Sequence, residues 1–155
     1  MCLIVDANRF GDVLSTPPKA AYVRLIDWLI SPKGVGIVVF GGTKFRREIA
    51  FSEKARRWYV NLQRAGRAKS IDDAIVDAEE RAVRNRDICE SDDEHIIALA
   101  RKSGARVVCT EDQLLWRDVK NAKLLTRPRG RIYRKRKHAR LLHHDRNCQR
   151  PTGRA

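Results

Sequence analysis

Met1-Cys2-Leu3-Ile4-Val5-Asp6-Ala7-Asn8 opens the chain and decides how the rest is read. Four apolar residues run without interruption into an aspartate, followed by a small residue and an asparagine. A continuous apolar run of this length reads as a strand buried on both faces, as in a parallel sheet. Asp6 then stands at the carboxyl end of that strand, the edge of an open α/β sheet where ligands collect. One aspartate after a strand is also an ordinary turn former or helix cap. Its meaning depends on whether other segments bring carboxylates to the same edge.

Two further apolar runs answer the first. Val35 to Phe40 reads as a second strand ending in Gly41-Gly42, and Arg106-Val107-Val108-Cys109-Thr110 as a third running into Glu111-Asp112. Helical spacing fills the intervals. Thr16 reads as an N-cap with Pro17 at the first helical position, followed by Ala21, Leu25, Trp28 and Leu29. Thr43 reads as the cap of a long basic helix reaching about Ala65, with Phe45, Ile49, Ala55 and Trp58 on its apolar side. Ser70 to Arg86 is a further helix, with a short strand before it or overlapping its start. Ser91 and Glu94 have the spacing of a capping box that opens a helix through Lys102. Another helix and a short strand at Ala122 to Leu125 follow, then a turn at Pro128-Arg129-Gly130 leading into Arg131-Ile132-Tyr133. Strands alternating with helices imply a three-layer α/β/α sandwich around a central parallel sheet.

At 155 residues and 43% apolar content the chain is one domain of ordinary size. We expect a core domain over 1–133 and a basic C-terminal extension over 134–155. No apolar run approaches the roughly 18–20 residues of a membrane span, and Asp6 breaks any signal-like stretch, so the expected compartment is cytoplasmic. Cys2, Cys89, Cys109 and Cys148 form no CxxC pair and read as reduced thiols. The net charge is +14, from 33 basic and 19 acidic residues. Arg127 to Ala155 holds eleven Lys/Arg against the single Asp145, so ten of the fourteen charges fall there. Such a segment is the footprint of a polyanion, most simply nucleic acid. His138, His143, His144 and Cys148 lack the spacing of a closed zinc site. A tail helix with Leu141 and Leu142 packed back on the domain is the better reading. Trp28, Trp58 and Trp116 read as core or interface.

The acids converge. Asp6 and Asp112 each follow a buried strand, Asp93 lies in the first turn of a helix, and Glu48 sits one turn into the helix after the second strand. Taken singly, Asp93 is a helix-start charge, Asp112 a cap, and Glu48 an ion-pair partner for Lys44, Arg46 or Arg47. Brought together, carboxylates repel and call for a cation. Hard divalent ions take such oxygen ligands.

Three motifs carry a resemblance to the PIN-domain nucleases, which include the VapC-type toxins. They are Ile4-Val5-Asp6-Ala7-Asn8, Asp93-x-x-Ile96-Ile97-Ala98-Leu99-Ala100 and Val108-Cys109-Thr110-Glu111-Asp112, similar in order and spacing to the family's opening strand, acidic helix and closing T-x-D. The resemblance covers roughly Met1 to Leu125. It implies Asp6, Glu48, Asp93 and Asp112 as catalytic, metal-binding acids, with Asn8 and Thr110 orienting them. Glu53, further along the same helix, is the alternative to Glu48, and Asp118 is a candidate for an additional acid. The implied activity is Mg²⁺- or Mn²⁺-dependent cleavage of RNA.

The acidic edge would itself repel RNA, so basic surface elsewhere must supply the binding energy. Arg46, Arg47 and the run Arg134, Lys135, Arg136, Lys137 are the expected phosphate contacts. The expected setting is the toxin of a toxin–antitoxin pair, with an antitoxin protein as partner and a homodimer as a further assembly. The alternatives are a housekeeping RNA-processing nuclease, or a nucleic-acid-binding module whose PIN-like core has lost catalysis. A receiver-like phosphate-binding domain would need paired acids early in the chain, where only Asp6 stands.

Overall fold

The computed structural model describes residues 2–32 and 36–143. Its centre is a five-stranded, all-parallel sheet in the order β3-β2-β1-β4-β5, flanked by helices in an α/β/α arrangement. The strands are β1 (Cys2–Val5), β2 (Ile37–Gly41), β3 (Ala68–Ile71), β4 (Val107–Cys109) and β5 (Arg131–Ile132). The helices are α1 (Phe10–Val13), α2 (Val23–Ile30), α3 (Thr43–Ala50), α4 (Glu53–Arg64), α5 (Asp73–Asn85), α6 (Glu94–Ser103) and α7 (Gln113–Lys120).

β1 is the middle strand because nothing polar interrupts it. Leu3, Ile4 and Val5 are fully buried, with Leu3 facing Val38 on one side and Val107 on the other. At about 2 kcal/mol for each fully buried aliphatic side chain, these three contribute about 6 kcal/mol of burial. From β1 the chain builds outward to β2 and β3, then returns to the opposite flank for β4 and β5. The order therefore reverses between β1 and β4, and their carboxyl ends form the crevice of a doubly wound sheet.

Several local expectations are corrected. Thr16–Pro17 is a cis peptide bond, and Pro17 does not begin a helix. The residue before a proline is pushed out of the helical region, and with Pro17 and Pro18 in tandem, helix α2 waits until Val23, after a 3₁₀ turn at Ala20–Tyr22. The expected helix from Thr43 to Ala65 is two helices. Ser52 adopts extended angles and accepts a hydrogen bond from the Ala55 amide at 3.1 Å, capping α4 and leaving Phe51 almost fully exposed. Gly42, not Thr43, is the N-cap of α3. Its φ of 89° suits glycine, and acids from α5 satisfy the helix start: Asp73 accepts from Gly42 N and Asp77 from Thr43 N, both at 2.9 Å.

The short strand before α5 exists as β3. Ala122–Leu125 is a turn with Leu124 and Leu125 buried, and the fifth strand is Arg131–Ile132 instead. Beyond Tyr133, residues Arg136–His143 form a 3₁₀ helix that places Leu142 in the core and Leu141 against it. Tyr133 itself is fully buried and donates to Ala21 O at 2.9 Å. His144 and Cys148 lie outside the described residues. Cys89 and Cys109 are free, whereas Cys2 is disulfide-bonded, against the expectation of reduced thiols. Among the described residues no helix is long and apolar enough to cross a membrane.

Candidate metal centre

Asp6 leaves the end of β1 and is only 5% exposed. Its backbone amide continues the sheet by donating to Cys109 O at 2.9 Å. Beside it, at the end of β4, Thr110 is fully buried and donates its hydroxyl to Asp6 Oδ2 at 2.7 Å. That hydroxyl also accepts from Asn8 Nδ2 at 3.2 Å and from the Asp112 amide at 3.1 Å. With two donors pointed at the oxygen, its one proton is directed to Asp6. Asn8 Oδ1 in turn accepts from the Glu111 amide at 3.4 Å. Asn8 and Thr110 thus tie the two strand ends together and orient Asp6.

Asp93 stands at the N-cap position of α6, yet its side chain caps nothing. The expected Ser91–Glu94 capping box is absent because Ser91 has another partner. Its hydroxyl and amide both donate to Asp118, at 2.6 and 2.9 Å, and the Glu90 amide donates to the same carboxylate at 2.8 Å. Asp118 is buried and faces this loop, so it joins the site by holding the segment that carries Asp93, not as a further acid of the cluster. The Asp93 carboxylate turns instead toward Lys44 Nζ at 4.0 Å and His95 Nδ1 at 3.9 Å.

His95 was missed by the sequence reading. Its ring is almost fully buried in the first turn of α6, with the Phe45 ring 6.3 Å away, and Nε2 lies 3.2 Å from Glu48 Oε2. In the sequence His95 heads the apolar run Ile96 to Ala100, which marks a buried helix without fixing which way the ring faces. Glu48 comes from α3, one turn past the Gly41-Gly42 bend. Glu53 pairs with Arg57 on the surface and takes no part. Glu48, Asp93 and His95 each offer a ligand atom within 4.8 Å of one another, a cluster that can hold a metal ion.

Asp6 and Asp112 adjoin this cluster and lie outside that ligand set. Burial raises the Asp6 carboxyl, the Thr110 hydrogen bond opposes the rise, and the charge of Glu48 adds to it. Asp93 is pushed up to about 6, first by burial and then by the charge of Asp6, with Asp112 contributing; His95 and Lys44 pull the other way. The four acids therefore feel one another. Asp112 spends Oδ1 on capping α7, accepting from the amides of Leu114 and Leu115 at 2.9 and 3.3 Å. Its Oδ2 has no hydrogen bond among the described residues.

Hydrogen-bond logic supports the fit of a cation. An ionised Glu48 only accepts, so the proton lies on His95 Nε2 and donates to it. Where the ring is neutral, as a metal ligand must be, Nδ1 presents a bare lone pair. That atom is buried and without a hydrogen-bond partner among the described residues, and it faces a carboxylate oxygen at 3.9 Å. At 3.9 Å the two acceptors stand a little wider than the roughly 3.0–3.6 Å between neighbouring ligands of one ion, so a small approach of Asp93 would bring both into coordination distance.

The basic residues divide. Arg46 is committed inside the protein, donating to Asp73 at 2.5 Å and to Ser70, with its guanidinium 5.1 Å from the Phe40 ring centroid. It joins α3 to β3 and α5. Arg47 is exposed. Lys44, donating to Asp92 O at 2.9 Å, is the cation nearest the acids. Arg134 lies over the Trp116 ring, while Lys135, Arg136 and Lys137 are exposed.

Fold and site together define an α/β/α protein with a carboxylate–imidazole cluster at the switch point of a parallel sheet. No protein-family model, curated protein or solved structure matches the chain.

Proposed function

We propose that this protein hydrolyses RNA phosphodiester bonds with the help of a divalent cation, Mn²⁺ or Mg²⁺, held between Asp93 and His95 and approached by Glu48, Asp6 and Asp112. The observation that carries the reading is the buried, unpartnered His95 Nδ1 facing Asp93. A bare imidazole nitrogen beside carboxylates is a place for a cation. The mixed oxygen and nitrogen set favours Mn²⁺ over Mg²⁺. The resemblance to PIN-domain nucleases, carried by Asp6, Asp93 and Thr110-x-Asp112, agrees with this chemistry.

The bound ion would neutralise charge developing on the phosphate and lower the pKa of attacking water. The protein's own groups do the rest. Thr110 and Asn8 fix Asp6 at the crevice floor. Glu48 fixes the tautomer and ring orientation of His95. Asp118 holds the loop that carries Asp93. Lys44, beside Asp93 and half exposed, is placed to meet a phosphate oxygen. Water is the nucleophile, so no covalent intermediate with the chain is required.

The test is cleavage of labelled single-stranded and structured RNA with Mn²⁺, with Mg²⁺ and with EDTA. Asp6→Asn and Asp93→Asn run beside the wild type, with folding checked by circular dichroism. Metal-dependent cutting that both substitutions abolish is the expected result. RNA binding without cutting under every condition would overturn the enzyme and leave a binding module.

A further inference from the structure

Away from the acids, the C-terminal segment folds over α7 and β5 to form a cavity of about 280 Å³. Its walls carry Lys120, Arg131, Arg134, Lys135, Lys137 and Arg140. Among the described residues no carboxylate lines it and none of these six cations is ion-paired. Six other arginines, Arg9, Arg46, Arg57, Arg84, Arg101 and Arg117, each meet an acid. Six like charges around one concavity repel one another unless an anion enters.

The cavity is also built. Arg134 stacks on the indole of Trp116, 4.2 Å from the ring centroid. His138 Nδ1 accepts from the amides of Arg134 and Lys135 at 3.0 and 3.1 Å, which fixes the turn that presents them. Burial first, and then the surrounding Lys137, Arg134, Arg140 and Lys135, hold the His138 ring below its ordinary pKa. Trp116 Nε1 donates to Thr110 O at 2.8 Å. Thr110 thus meets Trp116 of the cavity wall through its carbonyl and Asp6 through its hydroxyl, and so links the two sites.

We infer that this cavity is a docking site for the phosphate backbone of single-stranded RNA, separate from the acidic centre and adjoining it. Unpaired cations supply phosphate contacts, and the Arg134–Trp116 stack offers a flat face to a base. Arg136 is absent from the lining. The inference shares with the proposed nuclease only the nature of the ligand, because docking here requires no divalent ion.

The experiment is fluorescence anisotropy of a labelled single-stranded RNA with the full chain in EDTA, over a range of salt concentrations. Compared are wild type, Arg131→Ala/Lys137→Ala, Arg134→Ala, and Lys54→Ala/Arg57→Ala on α4 as a remote control of equal charge. The first double variant removes two exposed side chains. It should lower the slope of log K against log salt by about 1.4, at roughly 0.7 for each lost contact to a single strand. Arg134→Ala should weaken binding as well, while the α4 pair leaves it as in the wild type. An unchanged affinity and slope in Arg131→Ala/Lys137→Ala would overturn the inference. So would competition by polyglutamate as effective as that by unlabelled RNA at equal charge. Failure of cleavage would leave these binding results standing, and failure here would leave metal-dependent cleavage intact.

Discussion

Asp93 occupies a helix start without capping it, and its titration should show in the stability of the metal-free protein. Its folded pKa, about 6, lies above the ordinary carboxylate value of 3.8. Between those values the folded state binds more protons than the unfolded state, so this group's contribution to stability falls as pH rises through the window. Asp93→Asn removes the penalty. The variant should exceed wild type by about 1–3 kcal/mol above pH 6 and converge with it near pH 4. Urea unfolding in EDTA at several pH values measures this, and equal stabilities at pH 7 would contradict it. Thr110→Val should act in the opposite sense. It leaves the buried Asp6 oxygen without its donor, a cost of about 1–3 kcal/mol. The same unfolding measurement at pH 7 checks it. At this scale Asp6, Thr110, Asn8 and Asp93 were legible in sequence because each follows a recognisable strand end or opens a helix. His95 was not, since the periodicity of α6 marks its buried face without saying that a ligand atom faces inward. The pairing of Arg46 was not legible, because its partners, Asp73 and Ser70, are remote in sequence.

At the scale of elements, the loop before α6 depends on Asp118 of α7. That carboxylate is buried and accepts three hydrogen bonds from Glu90 and Ser91. Asp118→Ala strands three donors and should cost about 3–5 kcal/mol if its burial is retained. Asp118→Asn keeps the shape and is the milder probe. It should reduce cleavage through misplacement of Asp93 while RNA affinity in EDTA stays at the wild-type value. A variant that loses affinity and activity in parallel would instead show general unfolding. The strands β1, β2 and β4 were plain in the sequence, because runs of buried aliphatic residues have few other uses. The break between α3 and α4 escaped notice although Ser52-Glu53 carries an N-cap signature, since the basic helical pattern runs through it. β5 was displaced from Ala122–Leu125 because Leu124 and Leu125 satisfy the core from a turn as well as a strand would.

For the whole molecule, sheet order explains why distant acids meet. The reversal between β1 and β4 sets Asp6 and Thr110 side by side. The β2–α3 bend then delivers Glu48, and α6 delivers Asp93 with His95. Charge is arranged by the same topology, with the acids at the switch point and the unpaired cations beyond Trp116 on the neighbouring flank. The positive tail was readable from composition alone, whereas its cavity needed Lys120 and Arg131, which come from elements before it. What stands or falls with the account is the cation between Asp93 and His95. The direct measurement is calorimetric titration of Mn²⁺ into metal-free wild type, Asp93→Asn and His95→Gln at pH 7. Saturable binding that Asp93→Asn abolishes and His95→Gln weakens by about 10- to 100-fold is the predicted result. If His95 is instead an imidazolium bridging Glu48 and Asp93, removing it frees both carboxylates. Mn²⁺ affinity that is unchanged or higher in His95→Gln would contradict the metal centre described here.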